Sequence, residues 1–169
     1  YFVQKSIANG IDIIRIFDAL NDIRNLETSI KAALKEKGAH VQVAISYTTG
    51  PVYDIDYFVK YAKQIEEAGA QSICLKDMAG LLVPYQTYEL VKALKENVKI
   101  PIQVHSHFTA GIADMTMLKA IEAGADVIDT ALSPLGMGTS HPATESMVAA
   151  LAGTEYDTGL DLKKLSELT

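Results

Sequence analysis

The sequence predicts an α/β fold in which parallel strands alternate with helices, and three observations predict it. Helix-like stretches end in a small or polar residue and glycine, and an apolar segment follows within a few residues, at Asn9-Gly10, Lys37-Gly38, Ala68-Gly69 and Ala123-Gly124. Each glycine reads as the residue that closes a helix and leads into a strand. The glycines recur at intervals of 28, 31 and 55 residues, the last interval holding two units with Pro101 announcing the strand between them. A period of about 28 residues is one strand plus one helix. Finally, the apolar segments alternate, with one greasy face and one that turns polar toward the C-terminal end.

Taken in order, the strands are 12–18 (DIIRIFD), 41–48 (VQVAISYT), 72–78 (SICLKDM), 101–107 (PIQVHSH) and 126–132 (DVIDTAL). Four helices lie between them and others flank both ends. The best-defined helix, 55–68, sets Tyr57, Phe58, Tyr61, Ile65 and Ala68 along one stripe, with Lys60, Lys63, Glu66 and Glu67 opposite. That is an amphipathic helix covering a sheet. Along 41–48, Val41, Val43 and Ile45 oppose Gln42, Ala44 and Ser46; along 72–78, Ile73 and Leu75 oppose Ser72, Cys74 and Lys76. Along 101–107, Ile102 and Val104 oppose Gln103, His105 and His107.

Two architectures meet this pattern. A doubly wound, flavodoxin-like sheet of five strands suits 169 residues and is favoured by periodicity and length. A (β/α)₈ barrel typically takes ~250 residues, so it fits only as a partial barrel, yet its lumen explains the polar strand faces. No linker or low-complexity stretch divides residues 1–169. The chain opens inside a helical stretch at Tyr1 and closes inside another at 160–169, so it is expected to be a piece of something longer.

Composition narrows the function. Fifteen basic against twenty-one acidic residues give a net charge of −6, with no Lys/Arg cluster, which disfavours nucleic acid and anionic membranes as partners. No apolar run approaches the ~20 residues of a membrane helix, and with no charged-then-apolar stretch at residues 1–20 no targeting leader is expected. The one cysteine, Cys74, permits no internal disulfide and reads as a small core residue; the expected compartment is the cytoplasm.

Four groups carry candidate chemistry. His105 and His107, at i and i+2 on a strand, point to one side and reach one divalent ion, or form a hydrogen-bonded pair in a polar pocket. Lys76 is either a snorkelling lysine paired with an acid or a buried amine that acts as base, Schiff-base former or carbamate. Arg15, among isoleucines, needs an anion: Asp18 or another core acid, or a substrate carboxylate. Asn21 or Asp22 then caps the next helix. In the loop 133–142, Gly136 and Gly138 allow close backbone approach and Thr139 offers a hydroxyl. The plain alternative there is a helix starting at Pro142 with Thr139 or Ser140 near its cap.

Together, Arg15-Ile16-Phe17-Asp18-Ala19-Leu20-Asn21, Cys74-Leu75-Lys76-Asp77-Met78-Ala79-Gly80, His105-Ser106-His107 and Gly138-Thr139-Ser140-His141-Pro142 resemble the carboxyltransferase domain of biotin-dependent enzymes. That family includes pyruvate carboxylase, the oxaloacetate decarboxylase alpha subunit and the transcarboxylase 5S subunit. The resemblance runs through nearly the whole chain in the right order. It implies a partial TIM barrel of about five βα units, truncated at both ends. It further implies biotin-dependent carboxyl transfer or decarboxylation between carboxybiotin and pyruvate or oxaloacetate. Lys76, carbamylated, with His105 and His107 would hold Zn²⁺, Mn²⁺ or Co²⁺; Arg15 would bind the keto-acid carboxylate and Thr139 would move the proton. Biotin would come from a separate carrier domain or subunit, and the enzyme is expected to be a homo-oligomer.

The chain departs from the family pattern in lacking the Arg-Asp-x-x-Gln segment that supplies an aspartate ligand, and in carrying Phe108 and His141 where relatives often differ. Alone it is therefore expected to bind metal poorly and not to turn over. Two other readings stand beside this one. Metal-dependent acyl-CoA lyases and isopropylmalate or homocitrate synthases share the barrel and the histidine pair without the lysine, and an inactive structural fragment needs none of these roles.

Overall fold

The computed structural model describes residues 1–36 and 38–169; Lys37, named above beside the second glycine, lies outside the described residues. Five strands form one sheet: β1 (Ile13–Phe17), β2 (His40–Ser46), β3 (Ser72–Asp77), β4 (Ile102–Ser106) and β5 (Val127–Ile128). Helices α1 (Phe2–Ala8), α2 (Ile23–Lys35), α3 (Ile55–Glu67), α4 (Pro84–Asn97), α5 (Ala113–Glu122), α6 (Thr144–Leu151) and α7 (Leu162–Ser166) complete the chain. Gly10, Gly38, Gly69 and Gly124 all have φ between 93° and 98°, as closing residues of helices require.

Strand order decides between the two architectures. The sheet runs β1-β2-β3-β4-β5, every neighbour parallel. A doubly wound sheet reverses direction at a switch point and so carries helices on both faces. Here each crossover steps one strand the same way, and right-handed crossovers of constant direction put every connecting helix on one face. The doubly wound expectation is thereby overturned: the sheet is five consecutive βα units of a barrel, helices outside and lumen inside.

The core lies between sheet and helices. Val41, Val43, Ile45, Ile73, Leu75, Ile102 and Val104 are fully buried against Leu26, Ile30, Phe58, Ile65, Leu94 and Met117. The opposite face carries Arg15, Gln42, Ser72, Cys74, Lys76, Gln103 and His105, as the strand alternation predicts. At the sheet's edges, Ile13 and Val127 are about half exposed, at 57% and 48%. Among the described residues no helix is long and apolar enough to cross a membrane.

The last strand is shorter than expected. Pairing was predicted over 126–132, but the ladder covers Val127 and Ile128, and Ala131 instead bridges Ala143 near the start of α6. The final helix likewise spans Leu162–Ser166 instead of 160–169, and α6 begins at Thr144 with Ala143 as its cap residue, two residues past the expected start at Pro142. The 55–68 helix ends at Glu67.

Candidate metal centre at the carboxyl ends of the strands

Register brings the chemistry together. Ser46 pairs with Lys76, and Lys76 with His105, so these three lie in one row across β2, β3 and β4 on the lumen face. The ladder ends at Ser106, one residue before the expected end, yet His107 stays extended (φ −78°, ψ 147°) with its N–H donating to the Asp77 carbonyl at 3.1 Å. His105 and His107 therefore still project to the same side, with ring centroids 5.2 Å apart.

The row is held from behind. Asp77, fully buried, accepts N–H groups from Ala79 (3.3 Å), Leu81 (3.0 Å) and Leu82 (2.8 Å), and the Ser106 hydroxyl at 2.8 Å. It thus folds the loop after β3 and ties that loop to the end of β4. Gly80 is required there: at φ +70° a Cβ would meet Thr109 Oγ1 at 2.7 Å and the His107 carbonyl at 2.8 Å. Asn21, at φ 55°, does the equivalent work after β1, donating to the Ser46 carbonyl and accepting the Ser46 N–H, both at 2.8 Å. Asp22, not Asn21, caps α2 by accepting from Arg24 N–H.

A third imidazole joins the pair. His141 lies with its centroid 4.3 Å from that of His105 and 4.6 Å from that of His107, and one ring nitrogen from each of the three lies within 4.8 Å of the others. Its loop turns through Met137 (φ 59°) and Gly138 (φ 56°) and docks on β4, the Phe108 N–H donating to the Ser140 carbonyl at 2.7 Å. Thr139 and Ser140 sit in this loop, not at a helix cap. Each ring spends Nδ1 on an oxygen that can only accept: His105 on Asp129 Oδ2 (2.7 Å), His107 on the Thr139 carbonyl (2.6 Å), His141 on the Ser106 carbonyl (2.9 Å). With Nδ1 the donor in all three, the neutral rings carry their lone pairs on Nε2. The Nε2 of His105 is buried and has no hydrogen-bond partner. Burial holds the His141 imidazole below its usual pKa, against the pull of the Ser106 contact.

Lys76 has no acid. Among the described residues it forms no ion pair; its Nζ lies 4.1 Å from the centroid of the Phe17 ring, and burial lowers its pKa. Cys74 is fully buried, its thiol pushed up to about 12 by burial, in keeping with a core residue.

Arg15 has an acid, and it is Asp129 in place of Asp18. Its Nη1–H donates to Asp129 Oδ2 at 3.0 Å and its Nε–H to Gln42 Oε1 at 2.5 Å. Gln42 donates onward to Gln103 Oε1 (2.8 Å), and Gln103 donates to Asp129 Oδ1. Burial works against the Asp129 carboxylate, but hydrogen bonds from His105 and Arg15 and the arginine's charge outweigh it and hold its pKa at about 2. Asp129 is the member of this cluster that the sequence analysis did not single out, and His141 figured there only as a departure from the family pattern. The alternation of 126–132, with Val127 and Asp129 on one side, is the signal that would have found Asp129. Thr139 contributes its carbonyl to His107, while its side chain is exposed at the mouth of the site.

The donor set fits a divalent transition metal. Imidazoles whose Nδ1–H groups are fixed by a carboxylate and two carbonyls are the arrangement that orients metal-binding histidines, and an unpartnered buried Nε2 is the lone pair such an ion takes up.

A family model described as HMGL-like matches residues 11–169. A pyruvate carboxylase chain of Methanocaldococcus jannaschii is 65% identical over 167 residues, covering 99% of this chain and 29% of that protein. The methylmalonyl-CoA carboxyltransferase 5S subunit of Propionibacterium freudenreichii is 46% identical, covering 99% of this chain and 33% of that one. The carboxyl transferase domain of Rhizobium etli pyruvate carboxylase, in a structure with pyruvate and biocytin, superposes with a TM-score of 0.96 at 42% identity, covering 99% of this chain and 29% of that one. The chain thus spans a third or less of the length of these relatives. It belongs to the HMGL-like family, with the carboxyl transferase domain of pyruvate carboxylase as its structural counterpart.

Proposed function

We propose that this chain supplies the metal-bearing part of a biotin-dependent carboxyltransferase that moves a carboxyl group between carboxybiotin and pyruvate or oxaloacetate. The observation that carries the reading is the row Lys76–His105, with His107 beyond it, on the lumen face of a barrel segment like that of a pyruvate carboxylase. Lys76, His105 and His107 would hold Zn²⁺, Mn²⁺ or Co²⁺. When bound, such an ion supplies a Lewis acid that stabilises enolate charge on the keto acid.

Lys76 is suited to becoming a carbamate. Its lowered pKa favours the neutral amine, whose lone pair adds to carbon dioxide; an N–C bond forms as one C–O π bond opens, one proton leaves the nitrogen to solvent, and the neutral amine becomes an anionic oxygen donor. The absence of an acid beside it leaves that negative charge uncontested. Arg15 is the proposed anchor for the keto-acid carboxylate, a role in which its guanidinium has to share its Asp129 contact with substrate. The exposed hydroxyl of Thr139 is the proposed carrier of the proton between biotin and the substrate methyl. The reading carries with it a biotin carrier on another domain or subunit, a homo-oligomer and a cytoplasmic setting.

The test is carboxyl transfer from carboxybiotin to pyruvate by the full-length protein, beside Lys76→Ala and Thr139→Val. Loss of transfer in both, with metal still bound in Thr139→Val, supports the assigned roles. Full transfer in Lys76→Ala removes the carbamate, and cleavage of an acyl-CoA in place of transfer moves the protein to the lyase and synthase relatives.

A further inference from the structure

We propose that Gln42 is a positioning residue for Arg15, holding the guanidinium so that one uncommitted nitrogen is left for the keto-acid carboxylate, and that Gln103 fixes the direction of the Gln42 amide. The inference rests on the proposed function for the role of Arg15 and goes beyond it in giving work to two lumen amides.

Four side chains close a ring across the lumen: Arg15 on β1, Gln42 on β2, Gln103 on β4 and Asp129 just past β5. From β3, Ser72 braces it: its hydroxyl accepts from Gln42 Nε2 at 3.0 Å and meets His40 Nε2 at 2.7 Å. The sense of every bond in the ring is forced from its two ends, because Arg15 can only donate and the Asp129 carboxylate can only accept. Gln42 must turn Oε1 toward the arginine Nε, which leaves its Nε2 to donate to Gln103 Oε1 at 2.8 Å. That in turn presents Gln103 Nε2 to the carboxylate.

Arg15 is thus gripped at two of its three nitrogens. Nη2 has no hydrogen-bond partner among the described residues, on a side chain that is 29% exposed. The Asp129 contact alone would leave the guanidinium free to swing about it. A second contact at Nε, to a glutamine 4% exposed and itself held by Ser72 and Gln103, fixes its plane. A planar fork set in advance loses less rotamer freedom when a carboxylate arrives. The plainer explanation is that the amides only fill the lumen. Barrel lumens are filled chiefly by branched apolar side chains, and an amide put there is unfavourable unless bonded, so filling alone does not account for two glutamines joined to Arg15 and Asp129.

The test is steady-state carboxylation of pyruvate by the full-length protein carrying Arg15→Lys, Gln42→Leu or both, with folding checked by circular dichroism and bound metal by elemental analysis. Lysine keeps the charge at position 15 but has no Nε for Gln42 to hold. Each single variant should raise KM for pyruvate about tenfold or more with kcat changed less than about threefold, because the carboxylate contact is made in ground and transition states alike. The double variant should lie within about twofold of Arg15→Lys, since Gln42 then has nothing to position. A folded Gln42→Leu protein with wild-type KM, a loss confined to kcat, or effects that multiply in the double variant overturns the proposal. Loss of bound metal in Gln42→Leu also overturns it, by placing the effect on His105. An unchanged KM in Arg15→Lys overturns the carboxylate anchor of the proposed function, and this proposal with it. If Gln42→Leu does not fold, Gln42→Asn, which keeps an amide but withdraws its oxygen from Nε, carries the same expectations.

Discussion

Replacing Asp129 with asparagine tests the electrostatics that organise the site. Asp129 receives three donors on two oxygens: Arg15 Nη1 and His105 Nδ1 on Oδ2, Gln103 Nε2 on Oδ1. An asparagine offers one acceptor and one NH₂, so a donor must face a donor. Turning the Gln103 amide only passes the conflict to Gln42, and turning Gln42 passes it to Arg15, which has no acceptor to give. The carboxylate's pKa, held at about 2 against an ordinary 3.8, corresponds to roughly 2 kcal/mol of stability at neutral pH. A donor left unpaired adds about 1–3 kcal/mol. Because the pKa is depressed, the folded chain binds fewer protons than the unfolded one between pH 3.8 and about 2, so this contribution is complete above 3.8 and fades as pH falls through that window. Urea unfolding of wild type and Asp129→Asn, from pH 7 down to pH 2, should show the variant about 3–5 kcal/mol weaker at pH 7, with roughly 2 kcal/mol of the gap closing on the way down. A gap that stays constant with pH, or no gap at pH 7, would refute the reasoning.

Three further outcomes follow from the same geometry. Asp77→Asn leaves buried N–H groups and the Ser106 hydroxyl short of acceptors and should cost about 2–4 kcal/mol in urea unfolding; a change under 1 kcal/mol shows that the loop closes without the charge. Gly80→Ala drives a Cβ into Thr109 and the His107 carbonyl at φ +70°, so a loss of about 2 kcal/mol or more is expected, together with weaker Co²⁺ binding because His107 moves; an unchanged melting temperature contradicts it. Phe17→Leu removes the ring beneath the Lys76 ammonium, an attraction of about 0.5–2 kcal/mol, and should lower the lysine's pKa further; pH-dependent labelling of Lys76 that stays put or shifts upward counts against the contact.

Much of the fold could be read from the residues, because glycine turns and strand alternation are local signals. The period of about 28 residues and the in–out pattern of 41–48, 72–78 and 101–107 were enough to put Lys76 and His105 on one face. Strand order was not, since it depends on which way each crossover steps, and nothing within a single βα unit records that direction. Length even pointed the wrong way, toward a doubly wound sheet. The partner of Arg15 was missed for a related reason: Asp129 is 114 positions away in sequence, and only the curvature of five strands brings it across. His141 lay in a loop whose path depends on Met137 adopting a positive φ, which its side chain does not advertise.

The division of labour along β3 and β4 bears on how such a site can change over evolutionary time. Asp77 and Ser106, facing the helices, fix the loop and the strand ends, while Lys76 and His105, their immediate neighbours, face the lumen and take no part in that bracing. Scaffold and reagent occupy alternate positions, so a substitution at one leaves the contacts of the other in place. Lumen positions can therefore drift among different functional groups on an unchanged frame, whereas the aspartate and serine behind them are held to their identities by folding alone.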